Sequence, residues 1–284
     1  MPAEHRKPLW LYHNLLSLDA PLVAVAWLHV FATTWRQYLP WEFYASLGLA
    51  VWAIYASDRL LDVSLQGQPG GNLKARHEFH RKHRKPFRIA ILAAVAAAVG
   101  LAVTTMPSTI YIHLLLGGVL VAGFFGLSML SSQSPDEVPH LKNVLAGLTF
   151  AFGTSMSAHI YRGYGIDDLL TSREFLSFAV LCVLNISAID LWEHASRAAD
   201  IEIKASDELS LTLPLAVLGA AALGFAALDG NQAVRPFFYA ILTGAALLHV
   251  LNRNRTRFSI DALRVLADVA LLVPVLVFHA ASGE

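Results

Sequence analysis

Nine runs of roughly twenty apolar residues, each long enough to cross a hydrocarbon layer of ~30 Å, leave this chain few ways to fold. They lie at about 18–35, 41–63, 87–106, 110–130, 142–161, 174–193, 209–228, 236–252 and 260–280. The runs are continuous rather than alternating, so they predict helices and not barrel strands, because backbone polar groups in lipid must be satisfied within the segment. With 56% hydrophobic and only 15% charged residues, the chain is too apolar for a soluble domain of its length. The expected fold is all-α: one integral-membrane domain over residues 1–284, a polytopic bundle of nine transmembrane helices. Small residues, as in LAAVAAAVGLAV at 92–103, let such helices pack closely.

Charge in the connections sets the orientation. With the N-terminus in the cytoplasm, the connections after runs two, four, six and eight share its side. Those segments carry fifteen of the 21 Lys and Arg, including Lys74, Arg76, Arg81, Lys82, Arg84, Lys85, Arg88, Lys142, Arg197, Lys204, Arg253, Arg255 and Arg257. The other side has Arg36, Arg162, Arg173 and Arg235. This positive-inside asymmetry predicts an odd number of spans with the C-terminus outside, in the cytoplasmic membrane of a prokaryote. Arg6 and Lys7 before an apolar stretch resemble a signal peptide, but no small-residue cleavage site follows, so the expectation is a retained first span. A net charge of zero argues against nucleic acid as a partner. The single cysteine, Cys182, lies in an apolar run and offers neither a disulfide framework nor a thiolate metal site.

Against this background the stretch AVWAIYASDRLLDVSLQGQ, residues 50–68, stands out. Asp58 and Asp62 are one turn apart on one face of the second helix, where it leaves the hydrocarbon. An Asp at a span centre costs about 2.5–3.5 kcal/mol and less near the interface, so something positive belongs beside the pair. Arg59 or a basic loop residue would make it a structural charge cluster; a bound cation would make it a site.

The sixth run ends as NISAIDLWEHASRAAD, which places Asp190, Glu193, Arg197 and Asp200 on one stripe at the same membrane depth. If runs two and six face each other, Asp58, Asp62, Asp190 and Glu193 converge on one cavity. Oxygen ligands of that kind suit magnesium, which takes one or two carboxylates and completes its shell with water and substrate phosphates.

Nine spans, acidic motifs closing runs two and six, and LKNVLAGLTFAFGTS with a lysine at the start of run five resemble the UbiA superfamily of intramembrane prenyltransferases. The family's first motif, N-D-x-x-D-x-x-x-D, aligns so that Asp58 takes the Asn position, Arg59 replaces the first Asp, Asp62 keeps the central Asp and Gln66 replaces the last. The second, D-x-x-D-x-x-x-D, becomes Asp190, Glu193 and Arg197, and Lys142 matches the family's basic residue on the fifth helix. The motifs are therefore degenerate. The resemblance implies a Mg2+-dependent transfer of a prenyl group from a prenyl diphosphate to a lipid-soluble, hydrophobic acceptor. Asp58, Asp62, Asp190 and Glu193 would be the metal-binding and catalytic residues, with Lys142, Arg59 and Arg197 on the diphosphate. The alternatives are a membrane terpene cyclase of the same architecture, and a non-catalytic carrier or lipid-binding protein whose acidic stripes pair internally.

Three other features have plainer readings. His77, His80 and His83 sit among so many cations that contact with anionic lipid headgroups is expected in place of a metal site. Asp261, Arg264 and Asp268 form a stripe in which Arg264 can pair one turn in either direction, as a structural ion-pair cluster. Trp52, Tyr55 and Phe152 are expected as packing or interface residues, with cavity lining as the alternative.

Overall fold

The computed structural model describes residues 15–65, 79, 81–131, 140–163, 165–197, 199–230 and 232–283. Among these the chain is helical and has no strand. Its helices are α1 (Asp19–Thr34), α2 (Trp41–Leu65), α3 (Arg84–Thr105), α4 (Ile110–Ser131), α5 (His140–Ile160), the short α6 (Ile166–Thr171), α7 (Arg173–Arg197), α8 (Ile201–Leu228), α9 (Arg235–Asn254) and α10 (Ile260–Ser282), with a 3-10 turn at Arg255–Arg257. Each of the nine apolar runs falls on one of the long helices among the described residues.

Five of these, α3, α4, α7, α8 and α10, are long and apolar enough to cross a membrane, which is compatible with an integral membrane protein. The other long helices are shorter or carry charge. α1 has sixteen residues, α2 holds Glu42, Asp58, Arg59 and Asp62, α5 opens on His140 and Lys142, and α9 runs between Arg235 and Arg253.

α7 is the centre of the bundle, packed on α5, α8, α9 and α10. Its sequence allows this, since Phe175, Phe178, Leu181, Leu184 and Trp192 are buried together with small Ser177, Ala179, Ala188 and Ala195. α1 packs against α2, α5 and α10. Its Trp27 stacks on Phe178 with ring centroids 4.4 Å apart, and the indole N–H donates to the carbonyl of Leu271 at 2.8 Å. Pro274 lies inside α10 and has no N–H for the ladder, which removes the helical donor to the Ala270 carbonyl four residues earlier. α3 buries only Phe87, Ala94, Ala98 and Ala102, a stripe one residue wide on α2. Its remaining apolar side chains, such as Ile89, Leu92 and Val99, face outward, as a lipid-facing helix requires.

One glycine sets the geometry of the site. A Cβ on Gly147 would lie 2.6 Å from the backbone nitrogen of Val183, so only glycine allows α5 to approach the α7 backbone this closely. Gly147 is one turn after Asn143, and Val183 two turns before Asp190. The contact brings the start of α5 onto the end of α7.

Candidate functional site

At one end of the bundle the start of α5 separates the ends of α2 and α7. Lys142 and Asn143 are adjacent there and point to different neighbours. Lys142 Nζ lies 3.8 Å from Asp58 Oδ1 of α2, with both side chains mostly buried, and 5.4 Å from the centre of the Phe124 ring of α4. Asn143 is buried, and its amide donates to Asp190 Oδ2 of α7 at 2.9 Å. Asp58 and Asp190 are thus joined through two consecutive residues.

Arg59 makes its hydrogen bond within its own helix. Its guanidinium donates to the Tyr55 hydroxyl and sits 4.4 Å over the Tyr55 ring, a cation–π contact one turn back. Asp62 is partly buried and within electrostatic reach of Arg59. Gln66 lies outside the described residues.

Glu193, one turn beyond Asp190, is buried against a different helix. Its Oε1 accepts from Arg264 of α10, and its Oε2 lies 3.8 Å from Arg197. Arg264, only 3% exposed in its side chain, also donates to Asp261 at 2.8 Å. The ion-pair cluster expected at Asp261 and Arg264 is therefore present and extends to α7. Arg197 has 66% of its side chain exposed and can leave Glu193 at little cost. The stripe expected from Asp190 to Asp200 is interrupted: α7 ends at Arg197, and Asp200 instead caps α8 by accepting from the Glu202 N–H. A carboxylate there satisfies one of the orphan donors of the new helix.

The same end holds contacts that the sequence did not point to. His194 Nδ1 is 2.8 Å from Asp207 Oδ2 of α8. Asn252 of α9 accepts from Trp192 of α7 at 2.9 Å and donates to the Glu208 carbonyl and to Thr212, each at 3.1 Å. Glu208 is gripped by Arg253 and by Arg255 at 2.8 Å. Asn143 follows Lys142 in the sequence, and neither spacing nor charge marks it or Asn252.

Chemically, the arrangement offers Asp58 and Asp190 at the start of α5, with Lys142 beside Asp58 and with Asp62 one turn further along α2. Among the described residues no three His, Cys, Asp or Glu side chains gather closely enough to hold a metal by themselves. Glu193, with both oxygens facing guanidinium groups, is poorly disposed as a ligand. A magnesium here would have at most one or two of the three aspartate carboxylates and would draw its other ligands from water and a phosphate-bearing substrate. His83 keeps its ring on the Phe79 carbonyl at 2.9 Å, while His77 and His80 lie outside the described residues. Trp52 donates to the Leu16 carbonyl at 3.0 Å, and Phe152 is buried in the core.

No family model, no curated protein and no solved structure matches the chain.

Proposed function

We propose that this chain is an intramembrane prenyltransferase-like enzyme, acting on a prenyl diphosphate and a lipid-soluble acceptor at the cytoplasmic end of a nine-span, UbiA-like bundle. The observation that carries the reading is the junction at α5, where Lys142 and Asn143 tie Asp58 of α2 to Asp190 of α7. Carboxylates from two helices with a lysine between them form a place where a diphosphate and its counter-ion are both stabilised. Magnesium, if held by one or two of Asp58, Asp62 and Asp190, would supply charge neutralisation of the leaving diphosphate and Lewis acidity.

The chain's own residues do the rest. Lys142 is a point charge that can pass from Asp58 to a phosphate oxygen, and Arg197, already largely in solvent, can close over the phosphates with a bidentate contact. Arg59 is pinned on Tyr55 and adds fixed positive potential. Glu193, held by Arg264, anchors the end of α7. As the C–O bond breaks, its electron pair leaves with the diphosphate. The allylic carbon, kept from water by the apolar helices, then bonds to the acceptor, which gives up a proton.

The Arg264–Glu193–Asp261 cluster favours a second reading, a non-catalytic carrier or lipid-binding protein whose charges are internally closed. Purified protein incubated with prenyl diphosphates of several lengths separates the readings through release of inorganic diphosphate. Release that yields a prenylated acceptor supports the transferase. Release with cyclised hydrocarbon and no acceptor identifies a terpene cyclase. No release at any chain length supports the non-catalytic protein.

A further inference from the structure

The end of the bundle opposite the carboxylates holds a second polar cluster that the proposed reaction does not use. His159, near the end of α5, is fully buried, and its Nε2 is 2.8 Å from the Gly165 carbonyl. A carbonyl only accepts, so Nε2 carries the proton and Nδ1 presents a lone pair. That Nδ1 has no hydrogen-bond partner among the described residues. Trp35, just past the end of α1, meets the His159 ring edge-on with centroids 5.9 Å apart, and its indole N–H is likewise buried with no partner among the described residues. An orphan donor and an orphan acceptor thus stand on touching rings.

Three more buried oxygens or nitrogens without a partner among the described residues belong to the same helices and to α4: Thr34 Oγ1, Thr154 Oγ1 and His113 Nε2. His113 repeats the pattern of His159, with Nδ1 3.0 Å from the Thr109 carbonyl and the other nitrogen left as an acceptor. Each such group costs free energy unless something pairs with it. What pairs with both a lone pair and an N–H is a hydroxyl, which donates and accepts through one oxygen. The surroundings are aromatic: Phe31 lies 4.8 Å from Trp35 by ring centroids, and the Arg162 guanidinium sits 4.8 Å over the indole.

From this geometry we infer a binding site for the hydroxyl of a lipid-soluble phenol or aromatic alcohol, which accepts from Trp35 Nε1 and donates to His159 Nδ1. Sixteen helical residues, about 24 Å at 1.5 Å each, separate it from Asn143, so it is distinct from the proposed diphosphate site and does not rest on that reading. The other source of a hydroxyl is an ordered water, and the test distinguishes the two.

The full chain, purified in detergent, is titrated with 2-naphthol and with 2-methoxynaphthalene, which has the same aromatic body but no donor. The wild type should bind the naphthol about tenfold more tightly than the ether, the ratio expected when a buried acceptor is left unpaired. Trp35→Phe and His159→Phe should each erase the preference. If His159→Phe fails to fold, because it also loses the bond to Gly165, Trp35→Phe decides alone. Equal affinities in the wild type would overturn the inference and leave the orphan atoms to water, as would a preference that survives Trp35→Phe.

Discussion

The amide of Asn143 donates to Asp190 across 2.9 Å, and this bond joins the two helices on which the candidate site depends. Its partner Asp190 is a carboxylate near the end of a central helix, where the loss of a hydrogen bond is costly. Asn143→Ala should therefore lower stability by about 1–3 kcal/mol. Asn143→Asp should be worse, since it sets a second negative charge against the first. Thermal unfolding in detergent checks both, and melting temperatures equal to the wild type would show that the bond does not hold the helices.

Gly147 is the packing counterpart of that bond. A methyl group here meets the Val183 backbone, and backbone cannot rotate away, so Gly147→Ala should cost about 1–3 kcal/mol as an overpacked contact. The larger Gly147→Val should separate the helix ends and remove the effect of a second Asn143→Ala substitution. A double-mutant cycle on the pair measures this. Full additivity would contradict the coupling.

Arg264 and Glu193 give a test of the charge cluster. Removing Arg264 leaves buried Glu193 to the exposed Arg197 at 3.8 Å, so Arg264→Met should destabilise by up to about 3–5 kcal/mol. Adding Glu193→Met should recover most of the loss, because two apolar side chains replace two buried charges. If the double variant is no more stable than the single one, Glu193 has a role beyond pairing with Arg264.

The sequence made the helices legible because each apolar run is bounded by charge or by proline and glycine, and membrane length leaves little freedom in where a helix stops. The acidic ends of α2 and α7 were legible for the same reason, as charges in expensive positions. What could not be read was who pairs with whom. Glu193 looked like a companion of Asp190, yet a one-turn step along α7 rotates it toward Arg264 on a helix seventy-one residues away in sequence. Asp200 fitted a periodic stripe until the helix ended three residues earlier and the side chain became a cap. Asn143 and Asn252 carry no charge, so neither stood out although each links helices.

Orientation can be read by cysteine labelling on a Cys182→Ala background, since the native cysteine is buried. Cysteines in place of Lys85 and Arg257 should react with a membrane-impermeant maleimide only from the cytoplasmic side. Cysteines in place of Gln37 and Gly230 should react only from the other. Labelling of the first pair from outside would reverse the topology and move the carboxylate cluster to the wrong face.

If the junction of α2, α5 and α7 binds a prenyl diphosphate with magnesium, Asp62→Asn probes that binding with the least disturbance of shape. The measurement is thermal stabilisation of wild type and variant by a prenyl diphosphate, with and without magnesium, across several chain lengths. A ligand at a hundredfold excess over its Kd stabilises by about 2.7 kcal/mol, a shift that is easily resolved. The wild type should be stabilised in a magnesium-dependent manner, while Asp62→Asn should keep its unliganded melting temperature and lose that dependence. A wild type that gains no stability from any prenyl diphosphate, with or without magnesium, would show that the junction does not bind one.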